Sequence, residues 1–204
     1  MRAYIAETGP VLWAWNEFHS MLQVLFTQLV QSGSWDVSAA IWHSAATDSN
    51  QRQLLLATAE ARLESKNRML ARIRWVVKIA DKLAEYRNLA AQLPMTVQGD
   101  AFGESEPVLM PDRLTTKRSK ALKAIIIYFR RRKFWQVLAG DIYVLDQYVH
   151  LLCLEFLHPN ERLPSPHKPR LHILPTVREI DAEMSRLTLK PARKRRKRAP
   201  RRKS

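Results

Sequence analysis

Apolar positions in this chain return every three or four residues, and two-residue alternation is scarce. Leu12, Trp15, Met21, Leu22, Leu25, Phe26 and Leu29 approximate a 3.6-residue period. They predict a first helix that Gly9-Pro10 opens, proline being favourable at a first helical position, and that Gly33 closes. A short second helix, DVSAAIWHSA, is expected from about Asp36. Asp48 or Ser49 suits the N-cap of the next segment, which runs without Gly or Pro to Pro94. One straight helix of that length is unusual in a globular domain. A break is therefore expected near residues 64–68, followed by a helix over 68–92. Its inward face would be Leu70, Ile73, Val76, Val77, Ala80, Leu83 and Ala84.

Residues 94–113 then form the one long internal loop, in which MTVQGDAFG suits a short hairpin. The helical pattern resumes from Thr115 to Leu157, as two helices or as one bent around residues 131–136, and stops at Pro159. Beyond it, prolines recur through an extended stretch with a weak helical pattern at 176–187. The expected architecture is an all-α, up-and-down bundle of four to six helices over residues 1–158. A Pro-rich extended segment, 159–189, and a disordered Lys/Arg-rich tail, 190–204, follow.

Charge changes this picture mainly at one end. The chain carries 34 Lys and Arg against 19 Asp and Glu, a net of +15. Ten of the basic residues, Lys194, Arg195 and Arg196 among them, lie in the tail, and without them the body is only +5. The tail is suited to RNA or another polyanion through counterion release, without sequence specificity. A second basic cluster runs from Lys117 to Lys133, with Tyr128 inside it and Trp135 just beyond. The plainer reading, a solvated face around AIIIYF, is preferred over phosphate contact. The lone cysteine, Cys153, excludes an internal disulfide and fits a reducing, cytoplasmic setting. No secretory leader is evident, and the longest apolar runs, AIIIYF and YVHLLCLEFL, fall short of a membrane span, so no membrane partner is expected.

The motif inventory excludes more than it assigns. No Walker loop, no G-x-S-x-G elbow and no His or Cys pair with zinc spacing is present, so no metal and no cofactor are expected. His150, inside an apolar run, reads as a satisfied core residue. In WNEFH, Asn16 and His19 lie three residues apart, with Trp15 on the same side as His19. The plainer reading is a hydrogen-bonded packing pair; the functional one places both opposite Arg87. Arg87 and Asn88 stand about one turn before the end of the 68–92 helix. A guanidinium is favoured there by the helix dipole alone, and its fork also matches phosphate oxygens.

The segment LAEYRNLAAQ resembles the signature of the HEPN superfamily, an arginine and a histidine separated by four to six residues, the first of them polar. The flanking WNEFHSMLQVLF and AIWHSAATDSNQRQLL also look like uncharacterised bacterial proteins of this kind, over about residues 10–158. The resemblance implies a helical bundle whose two copies form a homodimer around a metal-independent RNase site. It also implies a toxin–antitoxin or defence setting with a possible partner protein. Arg87 and Asn88 take the first two positions of the signature, but Gln92 stands where the histidine belongs. Glutamine does not titrate near neutral pH, and acid–base catalysis is worth roughly two to four orders of magnitude. The expectation is therefore a degenerate nuclease that binds RNA or nucleotide phosphate. Arg87 and Asn88 would contact the phosphate, Gln92 would orient the ligand, and Asn16 and His19 would complete the pocket. Two alternatives stand beside it. One is a weak metal-independent endoribonuclease using Arg87 with His19. The other is an interaction protein whose only polyanion affinity lies in the tail.

Overall fold

In the computed structural model the described residues are 2–65, 67–92, 95–98, 108–111, 134–159 and 167–173. They form an all-α fold of five helices: α1 (Arg2–Val30), α2 (Trp35–Ser44), α3 (Asp48–Arg62), α4 (Arg68–Gln92) and α5 (Phe134–Leu157). The basic cluster at 117–133 lies outside the described residues apart from its companion Trp135, as do the 176–187 pattern and the tail with Lys194, Arg195 and Arg196.

The 3.6-residue pattern became the core. Trp15, Leu22, Leu25, Phe26 and Leu29 of α1 are buried, as are Leu70, Ile73, Val76, Val77, Ala80 and Leu83 of α4. Helix α1 packs chiefly along α5, which buries Leu138, Ile142, Leu145, Val149 and Leu152, while α3 and α4 close the other sides. The break between α3 and α4 falls at the expected residues, and α4 spans the expected 68–92.

Several boundaries differ from the sequence expectation. Helix α1 does not begin at Pro10; it runs back to Arg2 with Pro10 inside it. The proline leaves the Ala6 carbonyl without its i+4 partner, but Ala6 is exposed, so water can take that bond. Its end precedes Gly33. Gln31, at φ 51°, already adopts the left-handed conformation that terminates the helix. The open carbonyls there are capped from α3: Arg62 Nε donates to the Leu29 carbonyl at 3.0 Å and Nη2 to that of Val30 at 3.3 Å. The N-cap of α3 is Thr47, whose hydroxyl accepts from Asn50 N–H at 3.2 Å, so Asp48 and Ser49 are already helical. His150 is exposed on α5, not a core residue.

Between α4 and α5, β1 (Met95–Gln98) pairs antiparallel with β2 (Val108–Pro111), Met95 opposite Pro111 and Gln98 opposite Val108. The sequence expectation confined the hairpin to residues 95–103. A strand at 95–98 has no room for a turn and a partner within those residues, and VLMP supplies the partner instead.

Helix α5 also corrects the reading of apolar length. Its 24 residues are apolar enough, by length and composition, to cross a membrane. Asp141 and Asp146 are embedded in it and one side of it is built into the core, as in the central helix of a bundle.

Residues past 158 contribute to the same core. Leu171 and Ile173 are buried, and Asp141 fastens them: its carboxylate accepts from the backbone N–H groups of His172 and Ile173 at 2.8–2.9 Å. Burial pushes the Asp141 carboxyl above the usual carboxylate range, and the two backbone donors pull the other way.

Candidate functional site

The end of α4 meets the middle of α1 and the start of α3. Three helices therefore bring polar groups to one junction around Trp15, which is 1% exposed. Trp15 Nε1 donates to Asp48 Oδ2 at 2.9 Å, and the same carboxylate oxygen forms an ion pair with Arg87 Nη2. Asp48 sits in the first turn of α3, where the helix dipole favours a carboxylate. The Arg87 guanidinium lies over the Trp15 ring, 4.9 Å from its centroid, and Nη1 donates to Asn88 Oδ1 at 3.0 Å. Arg87 is 19% exposed at its side chain, while its Nε is buried and has no hydrogen-bond partner. Burial lowers its pKa from the usual arginine value.

One turn along α3, Arg52 is 3% exposed and ties the junction to α4 from a second direction. Its Nε and Nη2 reach Asp81 Oδ1 at 2.9 and 2.8 Å. Its Nη1 lies 3.2 Å from His19 Nε2, and its guanidinium carbon lies 5.6 Å from the Trp15 centroid.

This geometry fixes the state of His19. Arginine only donates, so Nε2 must accept and the ring proton sits on Nδ1, which faces Gln51 Oε1 at 3.2 Å. Burial, then the Arg52 charge, push the His19 pKa down to about 4 from 6.5; the Gln51 bond opposes them and Arg87 adds to them. At neutral pH His19 is an uncharged imidazole with both nitrogens committed to the protein.

The structure thus places His19, Arg87 and Asn88 at one junction. It does not bring Asn16 there: Asn16 is exposed, one residue round the helix from Trp15. The backbone of α4 reaches Gln92, but its side chain is outside the described residues. Sequence reasoning missed Asp48, Gln51, Arg52 and Asp81. The i, i+3, i+4 spacing of Asp48, Gln51 and Arg52 held the available signal, since it puts all three on one face of α3.

Chemically, the two buried or half-buried cations each face a carboxylate, and the one histidine carries no proton available for transfer. The described residues contain no group of three or more His, Cys, Asp or Glu able to hold a metal. Compared with family models, curated proteins and solved structures, the chain matches none.

Proposed function

We propose that this is a HEPN-like protein that has lost RNA cleavage and retains RNA or nucleotide phosphate binding, in a toxin–antitoxin or defence setting. The observation that carries the reading is the state of the Arg87 junction. Arg87 is held in place by Asp48, Asn88 and the Trp15 ring, yet its side chain stays 19% exposed. Two of its five donors are engaged in these bonds, Nε is buried, and a phosphate oxygen is the natural acceptor for those that solvent reaches. His19, by contrast, has no free lone pair to take a proton and no charge to give one. Gln92 in the histidine position of the signature removes the second source of proton transfer. Two copies joined at the ends of α4 would place two such arginines side by side, as the resemblance implies, and the basic tail would add salt-sensitive affinity.

One observation favours a second reading. Arg52 and Arg87 are each matched by a carboxylate, so the junction is electrically balanced and also serves as a clasp between α1, α3 and α4. On that reading the body is an interaction module, and the polyanion affinity lies in residues 190–204.

Incubation of the purified protein with single-stranded RNA in the absence of metal tests the loss of catalysis. No cleavage is expected even at high protein concentration, and Gln92→His is expected to introduce some. Cleavage by the unaltered chain that disappears in both Arg87→Ala and His19→Ala would overturn the reading in favour of a working nuclease.

A further inference from the structure

A cavity lies at the other end of α4 from the Arg87 junction. It has a volume of about 480 Å³ and is lined by Arg68, Ala71, Arg72, Tyr148, His167 and Lys168. Three elements converge there: the first turn of α4, the middle of α5 and the returning segment 167–173 that Asp141 fastens down.

The lining is cationic. Arg68 and Lys168 are exposed, and Arg72 is 4% exposed with Glu155 as its ion-pair partner, so one of the three charges is answered within the protein. Lys168 is not loosely placed: its ammonium lies 5.6 Å from the centroid of Trp75, whose ring stands edge-on to Tyr148 at 5.4 Å. The start of a long helix adds a positive dipole end, where Asn67 Oδ1 already accepts from the Met69 N–H at 2.8 Å.

The second, independent observation is Tyr148. The residue lines this cavity and is 3% exposed, and its hydroxyl is buried without a hydrogen-bond partner. Leaving such a group unpaired costs about 1–3 kcal/mol, so an orphan hydroxyl in a cationic cavity marks a place for an acceptor. Burial raises the Tyr148 pKa, which keeps the group an O–H donor.

We infer that this cavity binds the phosphate group of a small phosphorylated molecule or free phosphate, with Arg68 and Lys168 supplying charge and the Tyr148 hydroxyl donating to a phosphate oxygen. The volume falls within the 300–1,000 Å³ usual for small-molecule sites, more than a phosphate alone needs. This site is separate from the Arg87 junction and does not depend on how that junction is read.

Calorimetric titration of the full chain with inorganic phosphate, and with a nucleoside 5′-monophosphate, at constant ionic strength tests the inference. Saturable binding is expected. Tyr148→Phe should weaken it about threefold to tenfold, the loss of one hydrogen bond, without lowering the melting temperature. The pair Arg68→Ala and Lys168→Ala should weaken it more than tenfold. Tighter binding of the monophosphate would assign the rest of the cavity to the group the phosphate carries; equal affinities would assign the site to free phosphate. Absence of saturable binding, or equal affinity in the unaltered chain and in both variants, would overturn the inference; the latter would move the phosphate to the basic tail. A Tyr148→Phe variant that binds normally and melts lower would also overturn it.

Discussion

Acid should weaken this fold through His19, and the size of the effect follows from its two partners. In the folded chain the imidazole accepts from Arg52, donates to Gln51 and has a pKa of about 4; in the unfolded chain it returns to 6.5. The neutral ring is the form that folds. Its contribution is fully present above pH 6.5 and is lost as pH falls through the window from 6.5 to about 4, because the unfolded chain takes the proton first. Each pH unit of that window is worth about 1.4 kcal/mol, which gives a loss of about 2 kcal/mol by pH 5 and about 3 kcal/mol by pH 4. His19→Gln removes the titration and keeps an oxygen to accept from Arg52. Urea unfolding followed by circular dichroism between pH 7.5 and 5 should show the variant losing about 2 kcal/mol less than the unaltered chain. The two proteins carry the same carboxylates, so what those contribute cancels in the difference. Parallel stability curves for the two proteins would refute the reasoning, as would an imidazole titration by NMR with its midpoint near 6.5 for His19.

Other consequences concern the ties that hold the bundle. Asp141→Asn replaces an acceptor facing two backbone donors with an amide, and should cost about 2–3 kcal/mol. Limited proteolysis should then cut around residues 167–173 faster than in the unaltered chain. Arg62→Ala leaves the carbonyls at the end of α1 uncapped and should lower the unfolding free energy by about 1 kcal/mol, measured by denaturant titration. Cys153 is 4% exposed, and burial, with Asp146 nearby, pushes its thiol up to about 12. A thiol-reactive disulfide reagent at pH 8 should leave it untouched in the native protein and modify it only after unfolding.

The helices were legible because their apolar faces are regular and their breaks are chemically marked. The 68–92 helix and the 64–68 break came directly from the periodicity, since one face of α4 is buried almost without interruption. Local rules failed where distant residues intervene. The end of α1 turns at Gln31 and is capped by Arg62, a residue 32 or 33 positions further along, and no pattern around Gly33 announces it. His150 sits among apolar neighbours in sequence, yet lies on the exposed side of α5. The Arg87–Asn88 pair was visible as unusual polarity near a helix end, but the sequence held His19 opposite Arg87 only as the less plain of two readings and paired it with Asn16, which is exposed. The carboxylate that pairs with Arg87 was not foreseen. Asp48 was read as a cap, because helix starts so often use aspartate that way, whereas Thr47 caps and Asp48 is free to reach Trp15 and Arg87.

On the proposed function the Arg87 junction, and not only the tail, contacts RNA phosphate. The most direct measurement is the affinity for single-stranded RNA, across a range of salt concentrations, of the chain lacking residues 190–204, with and without Arg87→Ala. The shortened chain should still bind, with affinity falling as salt rises, and Arg87→Ala should weaken this binding about tenfold, the scale of one lost charge-assisted contact. Complete loss of binding on removal of residues 190–204, or an Arg87→Ala variant that binds as tightly as its parent, would contradict the proposed function.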